Sequence, residues 1–393
     1  MKYITLLGST GSIGTSTLDV IRHHPDRFSV FALVAGSNAD TLASQIREFR
    51  PKIASLATEP ALKRLISILR DSGMPDSEWP QLSFGPASRI EVATAPEVDI
   101  VMSSIVGVSG LQATYEAVKR GKIVGLANKE VLVAAGSLVM EAARQHGSNR
   151  LLPVDSEHNG AHQCLRAGRH HEVRKLLLTA SGGPFRNTPA EALQSVTPEQ
   201  ALKHPTWVMG PRITIDSSTL MNKGFEVIEA CWLFDLPPSK VEVVVHPQSK
   251  IHAMVEYNDG TVIAQVSATD MRMPIQYALT YPDRWDAPVQ PLDWTRMGNW
   301  EFYPPDFRKF PLLKLAYQSM EAGGSATATL NAADEIAVEA FLKGEITYPR
   351  IAEVVEETLQ QMPPRTPVSI DEVLEIDNHS RQVARSIAHG ELV

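Results

Sequence analysis

The sequence has only two cysteines, Cys164 and Cys231, far apart and in neither a CxxC nor a zinc-ligand spacing. That excludes a disulfide-stapled scaffold and a thiolate metal centre, and a reducing compartment is the expectation. It also lacks any excess of positive charge, since 37 Lys and Arg against 45 Asp and Glu leave −8. A broad basic surface for nucleic acid is thereby excluded, and any site for an anionic metabolite has to be built locally from a few placed groups. Long apolar runs are missing too. The uncharged stretch over residues 100–115 is broken by Ser103, Ser104, Gly107, Ser109, Gly110 and Gln112. It falls short of the roughly 20 apolar residues that cross a bilayer, so no membrane partner is expected. Neither a signal peptide nor an Arg- and Ser-rich transit segment is read at the start, where Tyr3–Leu7 looks like a strand. A cytoplasmic location is the expectation.

What remains is ordinary globular material. Hydrophobic residues make up 43% of 393 positions, enough for sizeable cores in two or three domains. Over residues 1–150 short apolar runs (Tyr3–Leu7, Ser29–Val34, Ile53–Leu56, Ile100–Met102, Ile123–Leu126) alternate with helical patterns (Thr15–His23, Asp40–Phe49, Gln112–Arg120). That alternation predicts an α/β, Rossmann-like doubly wound domain with a parallel sheet. Residues 151–285 read as an α+β catalytic domain, with strands near Lys175–Thr179, Lys240–Val245, Ile251–Tyr257 and Thr261–Val266 and a hairpin turn at Asn258-Asp259-Gly260. Pro-rich residues 286–311 read as a surface linker. Residues 312–393 read as a C-terminal helical bundle, its last helix opened by a capping box at Ser369-x-x-Glu372.

Three constellations carry chemistry. Gly8-Ser9-Thr10-Gly11-Ser12-Ile13-Gly14 follows the first strand and opens a helix. Glycines there allow a tight turn and close approach to a pyrophosphate at a helix N-terminus, although the spacing is GxxGxxG rather than GxGxxG. A plain tight strand-to-helix turn would show the same residues. The second strand ends at Ala35-Gly36-Ser37-Asn38 without the acid that binds a ribose 2′-hydroxyl, which favours NADP over NAD.

Asp155-Ser156-Glu157 follows another strand-like run. Read as extended chain, it points both carboxylates to one face, where hard oxygens suit Mg²⁺ or Mn²⁺. A solvated loop would look the same. Glu226 adds a third acid. If Leu220–Trp232 is a helix, Asn222 and Glu226 stack at i and i+4 beside Lys223, with Ser217 near the helix start. Ser217, Asn222 and Lys223 then form a phosphate cradle. Ser181-Gly182-Gly183-Pro184-Phe185 offers a further hydroxyl and backbone N–H groups. Lys203–Pro211, carrying His204, Trp207 and Gly210, reads as a closing loop.

Taken in order, Gly8–Gly14, Ala127-Asn128-Lys129-Glu130, Asp155-Ser156-Glu157, Ser181–Phe185, His204-Pro205-Thr206-Trp207, Met221-Asn222-Lys223-Gly224-x-Glu226 and Asn331-Ala332-Ala333-Asp334-Glu335 resemble the 1-deoxy-D-xylulose 5-phosphate reductoisomerase family along the whole chain. The resemblance implies that Asp155, Glu157 and Glu226 bind one Mg²⁺, Mn²⁺ or Co²⁺. It implies that Lys129 and Ser156 meet the substrate's oxygens, and that Ser181, His204, Ser217, Asn222 and Lys223 hold its phosphate under Trp207. Gly8, Thr10, Gly11, Ser12, Ile13, Gly36, Ser37, Asn38, Asn128, Glu130 and Gly210 would line an NADPH site.

The implied activity is a rearrangement, by retro-aldol and aldol steps or by an α-ketol shift, followed by NADPH reduction to 2-C-methyl-D-erythritol 4-phosphate. That belongs to non-mevalonate isoprenoid precursor synthesis. A homodimer is implied as well. Many members carry a basic residue where Ser37 stands. A homoserine- or semialdehyde-type dehydrogenase would share the nucleotide domain but would not need the three acids. A sensor that kept the fold and lost catalysis would show eroded site residues.

Overall fold

The computed structural model describes residues 1–147, 149–204 and 209–390. In chain order its elements begin β1 (Lys2–Leu7), α1 (Ser12–His23), β2 (Phe28–Val34), α2 (Ala39–Phe49), β3 (Ile53–Leu56), α3 (Glu59–Asp71), β4 (Gln81–Phe84), α4 (Gly85–Thr94), β5 (Ile100–Ser103), α5 (Leu111–Lys119), β6 (Ile123–Leu126), α6 (Glu130–Arg144), β7 (Leu151–Pro153) and α7 (Ser156–Leu165). They continue with β8 (Val173–Ala180), α8 (Pro198–Ala201), α9 (Pro211–Thr219), α10 (Met221–Phe234), β9 (Val241–Val245), β10 (Ile251–Tyr257), β11 (Val262–Val266), α11 (Arg272–Thr280), α12 (Pro311–Ala322), α13 (Ala326–Leu342), α14 (Arg350–Gln361) and α15 (Ile370–His389).

Two compact units form, and they do not follow sequence order. The first comprises residues 1–131, 139–159 and 270–291. Its seven strands lie in the order β4-β3-β2-β1-β5-β6-β7, and every pairing is parallel. The α/β doubly wound expectation is met. Strands such as Ile4–Leu7 and Ile100–Ser103 are fully buried, as a sheet covered on both faces requires. Ile275, Ala278 and Leu279 of α11 join the same core as Ile4, Leu33 and Ile100. That apolar face groups residues 270–285 with the first unit, to which 151–159 also belong, while 160–269 lie in the second. No sequence signal marks β4, because all four of its residues are half-buried or exposed.

The second unit comprises residues 132–138, 160–269 and 292–393. Its sheet runs β11-β10-β8-β9, with a β10–β11 hairpin, β8 antiparallel to β10 and β9 parallel to β8. Helices α12–α15 share one core with this sheet and α10. Phe225, Leu176, Leu313, Phe341 and Val355 are all buried in it. The Pro-rich segment is partly structural, since Tyr303 bridges Val245 of β9 through paired N–H···O bonds of 2.8 and 2.9 Å. At α15 the Ser369 hydroxyl caps the helix by accepting from the Glu372 N–H at 3.2 Å, while the Glu372 carboxylate reaches the Val368 N–H at 2.9 Å.

Among the described residues no helix is long and apolar enough to cross a membrane. Both cysteines are free thiols buried in the protein, and burial pushes each up to about 12, so neither is a ready thiolate.

Candidate active site

The first unit reverses its strand order between β1 and β5, where open parallel sheets bind ligands beyond the strands' carboxyl ends. The Gly8–Gly14 turn sits there. Gly8 has φ +97°, and a Cβ on it would lie 2.8 Å from the Ser104 carbonyl oxygen at the end of β5. A Cβ on Gly14 would lie 2.3 Å from the Gly8 carbonyl oxygen. Both positions therefore demand glycine, and helix α1 starts hard against its strand. Gly11 is the N-cap of α1 and no side chain caps it. Gly11 and Ser12 are exposed, and Thr10 and Ile13 half-buried, which leaves the helix N-terminus open to an anion.

At the end of β2, Gly36, Ser37 and Asn38 are exposed, and a Cβ on Gly36 would meet nothing within 4 Å. Asn38 caps α2, its side-chain oxygen accepting from the Thr41 N–H at 3.1 Å. Asn128 is buried, with its amide donating to the carbonyls of Ile105 and, at 2.9 Å, Gly107. It thus ties the loop after β5 to the loop after β6, and Glu130 opens α6 directly beyond.

Lys129, one residue on, is 7% exposed and ion-paired with Asp155. The extended reading of Asp155–Glu157 is corrected by the structure: Ser156 and Glu157 form the first turn of α7. The Asp155 carbonyl accepts the first helical bond, from Asn159 N–H at 2.8 Å. The segment is helical because Asn159 also anchors it, its amide donating to the Pro153 and Pro274 carbonyls at 2.9 and 3.3 Å. Ser156 donates to the Glu157 carboxylate at 2.8 Å. Burial raises the Asp155 carboxyl, but Lys129, His158 and a hydrogen bond with Glu157 outweigh it and hold the group well below the usual carboxylate range.

In the second unit, Ser181 closes β8, and its hydroxyl lies 3.1 Å from His204 Nε2. Burial lowers the His204 imidazole, so it is neutral at physiological pH. Gly182 and Gly183 follow with φ +85° and +65°, and a Cβ on Gly183 would lie 2.7 Å from the Ser217 carbonyl oxygen. The glycine loop thus rests directly on the end of α9. Ser217 lies there, in the last turn of α9, and not at the start of the α10 helix as the sequence suggested. Leu220, at φ +63°, breaks the two helices apart. Beyond the break Asn222 donates to Glu226 at 2.6 Å, and Lys223 is ion-paired with Glu226. Lys223 and Glu226 are 3% and 1% exposed, buried as a charged pair.

Trp207 lies outside the described residues. Gly210 is exposed and is the N-cap of α9. Two features were not singled out in the sequence. Tyr348 donates to the Ser218 carbonyl at 2.7 Å, holding the end of α9 from below. Arg212 of α9 donates to Asn331 and Glu335 of α13, at 2.9 Å each. The helical i, i+4 spacing of Asn331 and Glu335 was the available signal for the second. Nothing marked the first.

Residues 4–136 match the 1-deoxy-D-xylulose 5-phosphate reductoisomerase family model. Residues 151–234 match the model described as 1-deoxy-D-xylulose 5-phosphate reductoisomerase C-terminal domain, and residues 266–383 that of the DXP reductoisomerase C-terminal domain. A 1-deoxy-D-xylulose 5-phosphate reductoisomerase of Solibacter usitatus is 65% identical over 99% of this chain and 98% of its own. The chain belongs to the 1-deoxy-D-xylulose 5-phosphate reductoisomerase family. The reductoisomerase of Chlorobium phaeobacteroides is 51% identical over 98% of this chain and 99% of its own.

Two solved reductoisomerases share the fold. One from Zymomonas mobilis, in complex with NADPH, has a TM-score of 0.91 at 44% identity, covering 98% of this chain and 99% of that one. A second, in complex with NADPH, fosmidomycin and magnesium, has a TM-score of 0.92 at 39% identity, covering 99% and 98%. The reductoisomerase chain described here suits such ligands. Its candidate cation ligands are all carboxylate oxygens, with Asp155 kept ionised and Glu226 buried against a lysine, the donor chemistry of a hard divalent ion. The Gly8–Gly14 turn is shaped by close backbone approach and leaves its helix N-terminus open, as a pyrophosphate requires.

Proposed function

We propose that this chain converts 1-deoxy-D-xylulose 5-phosphate into 2-C-methyl-D-erythritol 4-phosphate, using NADPH and one divalent cation, in non-mevalonate isoprenoid precursor synthesis. The observation that carries the reading is that the acids expected to bind the cation come with placed partners: Asp155 with Lys129, Glu157 with Ser156, and Glu226 with Lys223 and Asn222. Carboxylates paired in this way keep oxygens of the kind a hard divalent ion takes.

Asp155, Glu157 and Glu226 would hold the ion. When bound, the cation supplies Lewis-acid polarisation of the substrate's oxygens and NADPH supplies the hydride. The rest falls to the chain. Lys129 Nζ donates to an oxygen on which negative charge develops, from a buried position where such a donor is most effective. The Ser156 hydroxyl orients a neighbouring substrate oxygen. Ser181, Ser217, Asn222, Lys223 and neutral His204 receive the phosphate, fixing the far end of a small flexible ketone so that its reacting carbons are presented in one pose. Trp207 would cover the substrate and exclude water.

Gly8, Thr10, Gly11, Ser12, Ile13, Gly36, Ser37, Asn38, Asn128, Glu130 and Gly210 would contact the nucleotide. Because Asn38 Oδ1 is occupied as a helix cap, its NH₂ group and the Ser37 hydroxyl would be donors to a 2′-phosphate. In functional terms residues 1–150 bind the nucleotide and 151–285 carry the chemistry, while 286–311 link them to the helical residues 312–393. A cytoplasmic homodimer completes the reading, with the two reduced cysteines in keeping.

The test is Glu226→Gln, which keeps shape and removes one ligand charge. Turnover with Mn²⁺ should fall by about a thousandfold or more, while NADPH binding, followed by fluorescence, is retained. Turnover within a few-fold of the parent would refute the role of Glu226.

A further inference from the structure

Helix α9 has nine residues and carries Ser217 in its last turn. Two features fix that end: the Gly183 backbone packed on Ser217, and the Tyr348 hydroxyl on the Ser218 carbonyl. At the other end Arg212 is 16% exposed in its side chain. Its guanidinium forks to the Glu335 carboxylate and the Asn331 side-chain oxygen, each at 2.9 Å. Glu335 is shared with Arg381 of α15, also at 2.9 Å, and Arg381 holds Asp377 at 2.7 Å. Asp216 and Asp334 lie 3.7 and 3.9 Å from Arg212, close enough to attract it but too long for hydrogen bonds. A planar fork engaging two partners on one helix face fixes a position as well as a charge.

We propose that Arg212 is a positioning residue for the substrate phosphate, setting through α9 where Ser217 stands. This rests on the reading of Ser217 as a phosphate contact. Arg212 and Ser217 are separated by about 8 Å of helix rise, and a helix this short moves as one body. A shift at Arg212 therefore displaces Ser217 and slides it against Gly183. Because Leu220 turns the chain directly from α9 into α10, the same shift reaches Asn222 and Lys223. Burial and the neighbouring Asp216 raise the Asp334 carboxyl, whereas at Glu335 burial is outweighed by Arg381 and Arg212, which hold that carboxyl below its ordinary value.

The test uses the full-length enzyme with saturating Mn²⁺ and three variants. Arg212→Lys keeps the charge but cannot make the fork. The KM for 1-deoxy-D-xylulose 5-phosphate should rise about tenfold, while kcat stays within about threefold and the KM for NADPH within about twofold. Asn331→Ala, which leaves every charge in place, should shift the same KM in the same direction, and it carries the test if Arg212→Lys does not fold. Folded variants with an unchanged sugar-phosphate KM would overturn the proposal, as would parallel changes in kcat and both KM values. Ser217→Ala separates the two levels. If it raises the sugar-phosphate KM and neither other variant does, the positioning role alone fails. If it leaves that KM unchanged, the phosphate assignment fails and the inference with it.

Discussion

Gly183 shows how one missing side chain shapes the site. Its φ of +65° and the 2.7 Å approach of the Ser217 carbonyl leave no space for a methyl group. Gly183→Ala should cost about 1–3 kcal/mol of stability, from backbone strain and overlap together. It should also raise the KM for the sugar phosphate by pushing Ser181 and Ser217 apart. Chemical denaturation and steady-state kinetics check both, and a variant with parental stability and KM would show the contact to be dispensable. At this scale the sequence was informative where chemistry is carried by residue type. Asn222, Lys223 and Glu226 were placed together by helical spacing, and the structure joins them. Asp155–Glu157 was misread as extended because α7 is too polar to show an apolar stripe, so only its anchor at Asn159 reveals the helix.

At the scale of elements, the contact of α9 with α13 brings two acids, Asp216 and Asp334, into the same buried environment. Burial first, and Asp216 second, raise the Asp334 carboxyl well above its ordinary value. The sign of the pH effect follows. The unfolded chain releases this proton near an ordinary Asp value of about 4, while the folded chain keeps it to higher pH. Between those points the folded state binds more protons, so its contribution to stability is full at low pH and declines as pH rises. Asp334→Asn cannot titrate and keeps the side chain's shape. It should be more stable than the parent near neutral pH by on the order of 1 kcal/mol or more, with the difference shrinking below about pH 4. Urea denaturation across pH reads this directly, and a variant destabilised equally at every pH would contradict it.

Elements were legible in the sequence in proportion to their apolar pattern. The runs at β1, β3 and β6 stood out, whereas β4, with no buried residue, did not. The break between α9 and α10 was invisible because it falls on Leu220 at φ +63°, a conformation that leucine seldom adopts and no residue type announces.

At the scale of the whole molecule, the two packing units were not legible in the sequence. Residues 270–291 return to the first unit through an apolar face on α11, and a sequence pass has no means of assigning a buried face to one core over another. The overall charge of −8 is compatible with the proposed anionic ligands because Asp155 and Glu226 are each held against a lysine, Lys129 and Lys223. The central claim is that these groups support metal-dependent reductive isomerisation. The most direct measurement mixes the protein with 1-deoxy-D-xylulose 5-phosphate, NADPH and Mn²⁺ and follows NADPH loss. The account predicts loss that requires the sugar phosphate, stops with EDTA and returns when excess Mn²⁺ is added. NADPH loss that continues undiminished under EDTA, or none with all three components present, would contradict it.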